Sequence, residues 1–271
     1  MGVNVREPAV AGRFYPGDPR VLRRDVDSLL ASVDLGGAPR EVLGLMAPHA
    51  GYIYSGATAA KAFARVRVPE RVVIMCPNHT GRGARISVYA RGVFRIPGAE
   101  IPIDSELADR VMVEAVGAKH DHKAHMSEHA IEVELPFLLA CQPKLRIVPI
   151  VLGGLSETEA VELGLALHRA IGDDDVLVVA SSDMSHFLPD DETRRVDRVA
   201  LAPLLDFDPA GLYQTVKQNR ISMCGYIPAT AMLAYARARG GADKPELVAY
   251  ATSGDAFGDR GRVVGYASVL V

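Results

Sequence analysis

The sequence predicts an α/β fold: one domain over residues 1–271, with helices packed on both faces of a largely parallel central sheet. Three observations lead there. Short runs rich in Val, Ile and Leu recur without polar alternation, as strands covered on both faces require. Segments with helical spacing separate these runs, and alternating buried strands and helices make an α/β sandwich. No internal repeat and no long Gly/Ser or Pro-rich linker divides the chain. Its 271 residues, 49% hydrophobic and 23% charged, suffice for one large core.

The strand candidates are 42–47 (VLGLMA), 71–76 (RVVIMC), 145–152 (LRIVPIVL), 175–182 (DVLVVASS), 246–252 and 262–269 (RVVGYASV), all read as covered on both faces. The stretch 84–103 alternates polar and apolar residues and reads as a hairpin at a sheet edge. Helical spacing marks 57–66, 104–116, 128–140, 156–171, 192–205, 209–219 and 226–239. Asp104 and Ser156 stand where N-caps belong, the latter with Glu159 in capping-box spacing, and Pro136 kinks or divides the third helix.

Composition narrows the function. Lys and Arg number 30 against 33 Asp and Glu, a net charge of −3, so no general basicity points to nucleic acid. No apolar run reaches the ~20 residues of a spanning helix, and the first residues lack a secretory core, so a cytoplasmic location without membrane attachment is the default. Three scattered cysteines, 76, 141 and 224, fit a reducing compartment better than a disulfide scaffold.

In open α/β sheets, ligands bind beyond the carboxyl ends of the strands. Three of the predicted strands run into Pro48-His49, Pro77-Asn78-His79 and Asp183-Met184-Ser185-His186, delivering three histidines to one edge. A lone histidine there is ordinarily satisfied by backbone, but three at equivalent positions, with an aspartate beside one, point to convergence. Imidazole suits Fe, Cu, Zn or Ni, and two histidines with one anionic ligand and open positions is the arrangement of non-haem Fe(II) enzymes. Asp183 and Cys224 are the candidates for the anion. Cys224 begins the helix at 226–239, where a helix N-terminus lowers a thiol pKa. Cys76 and Cys141 read as buried small hydrophobes.

The segment His125-Met126-Ser127-Glu128-His129 fits the H-x-x-E-H zinc pattern. With Ser127 as N-cap, however, His125 falls outside the helix and the two histidines do not share a face. His120, His122 and His125 then read as a solvated loop, and His129 as the one facing the cleft.

These residues lie within segments that together resemble one family: REPAVAGRFYP (6–16), APHAGYIYSGATAA (47–60), PNHTG (77–81), SEHAIEVELPFL (127–138), PIVLG (149–153), SSDMSHF (181–187), CGYIPATAML (224–233) and YATSGD (250–255). In this order they are similar to the Memo family, the AmmeMemoRadiSam system protein B family, over nearly the whole chain. The resemblance implies a fold like that of class III, LigB-type extradiol dioxygenases. It implies His49, His79 and Cys224 as metal ligands, His186 as an acid/base residue oriented by Asp183, and His129 lining the pocket. The implied metal is Fe2+, with copper as the alternative and zinc compatible with the ligand types, serving redox chemistry on an unknown substrate. Where the dioxygenases use a glutamate, a Cys224 thiolate softens the site toward copper or a differently tuned iron. The resemblance also supports a non-enzymatic reading, an adaptor accepting a small-molecule or peptide ligand, and a functional link to radical SAM and AMMECR1-like proteins.

Overall fold

The computed structural model describes residues 4–241 and 244–271. In chain order its elements are β1 (Val5–Arg6), α1 (Pro19–Ala31), β2 (Gly44–Ala47), α2 (Tyr52–Phe63), β3 (Arg71–Pro77), β4 (Ile86–Val88), β5 (Val93–Ile96), β6 (Ala99–Pro102), α3 (Ser105–Glu114), β7 (Ala118–His120) and α4 (Ala130–Cys141). There follow β8 (Arg146–Leu152), α5 (Glu157–Ile171), β9 (Val176–Ser181), β10 (His186–Leu188), α6 (Asp190–Leu205), α7 (Pro209–Gln218), α8 (Tyr226–Ala238), β11 (Glu246–Thr252), α9 (Ser253–Phe257) and β12 (Val263–Leu270).

The centre of the main sheet is four parallel strands in the order β2-β9-β3-β8, flanked by antiparallel β12 on one side and β4 on the other, with β7 at the far edge. Each central strand feeds two cores. In β3, Val72, Ile74 and Cys76 join α1, α2 and α4 on one face, while Val73 and Met75 join α3, α5, α7 and α8 on the other. This is why these strands carry no polar alternation. Where α5 crosses α8, a Cβ on Gly164 would lie 2.3 Å from the Ala231 carbonyl oxygen, so only glycine allows the crossing. No helix among the described residues is long and apolar enough to cross a membrane.

Several expectations need correction. The stretch 84–103 is not one edge hairpin: β4 enters the main sheet between β8 and β7, whereas β5 and β6 form a hairpin that joins β1 in a separate three-stranded sheet. Strand β11 is not covered on both faces; its first six residues are exposed or half-buried. The periodicity reading does not include α1, whose buried stripe is only Leu22 and Val26. Helix α2 begins at Tyr52, five residues early. Ser127 is not a cap: α4 starts at Ala130, and the Glu128 carboxylate accepts from the N–H groups of His129 and Ala130. Helix α4 runs through Pro136 unbroken.

His125 is not solvated either. It is 1% exposed, because the N-terminal segment folds over it and Arg6 donates to its carbonyl oxygen. Its Nε2 meets the Ser87 carbonyl at 3.1 Å, and its Nδ1 is buried without a partner. Burial pushes its pKa down from 6.5 to about 3. The unfolded chain therefore takes up this proton first, so the stabilising contribution is complete above pH ~6.5 and is lost as pH falls toward ~3, with a slope of about 1.4 kcal/mol per pH unit. In the metal-free protein, His125→Gln should remove about one proton's worth of the slope of stability against pH between pH 6 and 4, measured by urea unfolding. An unchanged slope would refute the assignment.

Candidate metal centre

Three neighbouring parallel strands set the site. Because β9 lies between β2 and β3, all three end at the same edge, and His49, Asp183 and His79 each follow two residues after their strand. The turn before α4 brings Glu128 and His129 to the same place, and the start of α8 brings Cys224. A Cβ on Gly225 would lie 2.3 Å from the Ser181 carbonyl oxygen and 2.4 Å from Ser182 Cβ. Glycine there lets the chain press Cys224 against the end of β9.

His49, His79 and His129 each offer a donor atom within 4.8 Å of the others. Their ring orientations are fixed from behind. Ser181 Oγ donates to the Ala130 carbonyl and accepts from His49 Nδ1 at 2.8 Å. Glu128 Oε1 accepts from His79 Nδ1 at 2.8 Å and lies 3.3 Å from His129 Nδ1. With the Nδ1 atoms engaged, the Nε2 lone pairs are left for a ligand.

The electrostatics favour a cation. Burial and the neighbouring His79 push His49 down to about 3, and burial with His49 pushes His129 down to about 4, so both rings are neutral. Burial opposes charge on Glu128, but hydrogen bonds from His79 outweigh it and hold its carboxyl at about 2. Burial also works against protonation of His79, yet the Glu128 carboxylate wins and raises its pKa. Two neutral imidazoles, a third paired to an anion and a fixed carboxylate suit a divalent metal.

Cys224 lies at the same cluster, its Sγ 3.4 Å from His49 Nε2 and accepting from the Asp183 N–H at 3.2 Å, but it is not one of the three mutually close donors. The expected low thiol pKa is overturned: burial, then the charge of Asp183, push Cys224 well up. The helix dipole loses because the sulfur is enclosed beside a carboxylate. Asp183 does not orient His186. Its Oδ1 accepts from the His49 N–H at 2.9 Å, whereas the His186 ring donates from Nδ1 to the Ser222 carbonyl at 2.9 Å and its N–H to Ser222 Oγ at 2.8 Å. Burial raises the Asp183 carboxyl pKa.

Residue-level reading of the sequence misses Ser181 and Glu134 and, having set aside the H-x-x-E-H pattern, gives Glu128 no role. Glu134 is fully buried, and burial pushes its carboxyl pKa well above the usual range. Only its place among apolar neighbours in an α4 face signals it.

A cleft of about 630 Å3 leads to the cluster. His129 and Asp183 stand at its inner end, and its mouth is aromatic: Tyr54 packs on Phe257 at 4.8 Å, and Arg262 lies over the Phe187 ring at 5.4 Å. Phe187 is held at φ 64°, a strained conformation for a bulky side chain, which leaves its ring 59% exposed at the mouth.

Comparison with known proteins agrees with this architecture. The model described as "Memo-like protein" matches residues 6–270. A MEMO1 family protein of Aquifex aeolicus is 38% identical over 272 residues, covering 99% of each chain, and one of Methanothermobacter thermautotrophicus is 38% identical over 275 residues, covering 97% of this chain and 99% of its own. Among solved structures, an uncharacterized protein of Escherichia coli K12 superposes with a TM-score of 0.59 at 14% identity, covering 85% of this chain and 100% of that one, a likeness of fold. Nearly full-length agreement of this kind, by family model and by relatives at 38% identity, places the chain in the Memo-like protein family.

Proposed function

We propose that the cleft is a mononuclear non-haem metal site, with Fe2+ as the resident ion and copper as the alternative, serving redox chemistry on a small ligand. His49 and His79 hold the ion, and Cys224 completes the set as a thiolate. The observation that carries this is the 3.4 Å between His49 Nε2 and Cys224 Sγ. Two ligands of one ion keep such a separation, since bonds of ~2.0–2.1 Å to nitrogen and ~2.3 Å to sulfur meet at about 100° there. The thiol proton of Cys224, within reach of His49 Nε2 and the Asp183 carbonyl, is the one a metal would displace.

When bound, the ion supplies a redox-active Lewis acid with open positions. The protein's own groups do the rest. Glu128 and Ser181 keep the imidazole lone pairs turned inward. His129 borders the open side of the cluster. His186, its Nδ1–H tied to the Ser222 carbonyl, presents Nε2 as a proton acceptor. The aromatic mouth excludes water from an apolar ligand.

The test is elemental analysis after anaerobic purification, together with thiol alkylation. Wild-type protein should carry about one ion per chain, and a His49→Ala/His79→Ala variant almost none. Cys224 should resist alkylation only in the metal-loaded protein. Equal metal in both proteins would overturn the site, and equal labelling with and without metal would remove Cys224 from the ligand set in favour of His129.

A further inference from the structure

The edge strand β7 ends in His120, and His122 follows two residues later. Their Nε2 atoms are 2.9 Å apart, with the rings nearly perpendicular at 79°. Both lie at the outer edge of the main sheet, His120 exposed and His122 half-buried against the Tyr89 ring at 4.5 Å. Neither belongs to the central cluster. Strand alternation places Lys119 on the opposite face from His120. The Asp121 carboxylate is occupied by the N–H groups of Ala84 and Lys123.

We propose that His120 and His122 form a second, peripheral metal site, a two-imidazole chelate for a divalent ion of tetragonal preference such as Ni2+ or Cu2+. The spacing carries the assignment. Bonds of ~2.0–2.1 Å put two nitrogens about 2.9 Å apart when they meet an ion at about 90°, and about 3.4 Å apart at the tetrahedral angle. The 2.9 Å of the Nε2–H···Nε2 hydrogen bond is close to the right-angle spacing, so a square-planar or tetragonal ion could replace the proton with less ring movement than tetrahedral zinc.

The backbone around His120 supports either proton position. Its Nδ1 faces the Ala90 N–H at 3.1 Å and the Val88 carbonyl at 3.3 Å. Without metal, Nδ1 accepts from Ala90 and the proton on Nε2 donates to His122. With metal, the same proton moves to Nδ1 and donates to the Val88 carbonyl, which frees Nε2 and fixes the ring as outer partners of metal-bound imidazoles do. The proton count of His120 is unchanged. Water fills the remaining positions.

Ni2+ is the probe, since the three thiols do not reduce it. Equilibrium dialysis of the full metal-free chain should find two Ni2+ equivalents. His120→Gln/His122→Gln should lose one of them with an unchanged melting temperature, and His49→Ala/His79→Ala should lose the other. The single change His122→Gln should weaken the peripheral equivalent roughly tenfold or more, because one imidazole is not a chelate. Retention of both equivalents by the His120/His122 variant overturns the proposal. So does a wild-type protein that binds one equivalent removed only by the His49/His79 variant, a result that leaves the central site standing. The converse, one equivalent removed only by the His120/His122 variant, supports the peripheral site and overturns the central one. Zn2+ binding at the pair as tight as Ni2+ overturns the tetragonal assignment.

Discussion

Glu132→Ala is expected to cost about 3–5 kcal/mol of stability, the usual price of removing one partner from a buried ion pair. At roughly 2–4 °C per kcal/mol for a chain of this size, the melting temperature should fall by about 6–20 °C. Glu132 and Arg6 are both fully buried and paired. The same carboxylate accepts from the N–H groups of Ala9 at 2.7 Å and Val10 at 3.0 Å and from the Tyr15 hydroxyl at 2.5 Å. Truncation strands all of these donors at once and leaves the guanidinium charge uncompensated. Arg6 also donates to the carbonyls of His125 and Glu128, so the loss reaches the turn that holds His79 and His129. Glu132→Gln, which keeps an acceptor oxygen but not the charge, should fall between. A melting temperature within 2 °C of wild type for the alanine variant, by calorimetry, would show that the network does not hold the N-terminal segment.

Glu128→Ala should lower metal affinity by about 10–100-fold, the usual effect of losing a group that orients metal-binding imidazoles. Glu128 Oε2 accepts from the His79 N–H at 2.7 Å, while Oε1 serves the His79 ring and, at 2.9 and 3.1 Å, the first N–H groups at α4. Its removal frees the His79 ring and uncaps the helix, the second effect worth about 1 kcal/mol. Glu128→Gln keeps an acceptor and should cost less. Chelator competition measures the affinity; a value within twofold of wild type for the alanine variant would show that Glu128 acts only as a cap.

The central strands and the histidines after them were open to reading because their signals are local. The run 71–76 corresponds to Arg71–Pro77 and 175–182 to Val176–Ser181, and Pro48 and Pro77 mark where β2 and β3 stop before His49 and His79. What could not be read is decided by distant parts of the chain. His125 is buried by Arg6, 119 residues away. The three residues of β4 pair with β7 and β8, which alternation within 84–103 does not reveal. The thiol of Cys224 follows its enclosure beside Asp183, which overrides the helix terminus. Glu128 fits a motif in which it would be a base, yet it stands before the helix and spends its oxygens on caps and ring orientation.

The place of β9 between β2 and β3 also fixes when the site can exist. The loops carrying His49 and His79 lie early in the chain, but their strands are not neighbours until a strand ending at Ser181 slides between them. A nascent chain that has passed β8 can pair it with β3 and still has β2 without its parallel partner. Such long-range pairing pays its loop-closure entropy before any contact rewards it, so it belongs to the late, slow part of folding. The proposed site around His49, His79 and Cys224 is therefore complete only once β9 has paired, and ion uptake there would report that the last central strand has arrived.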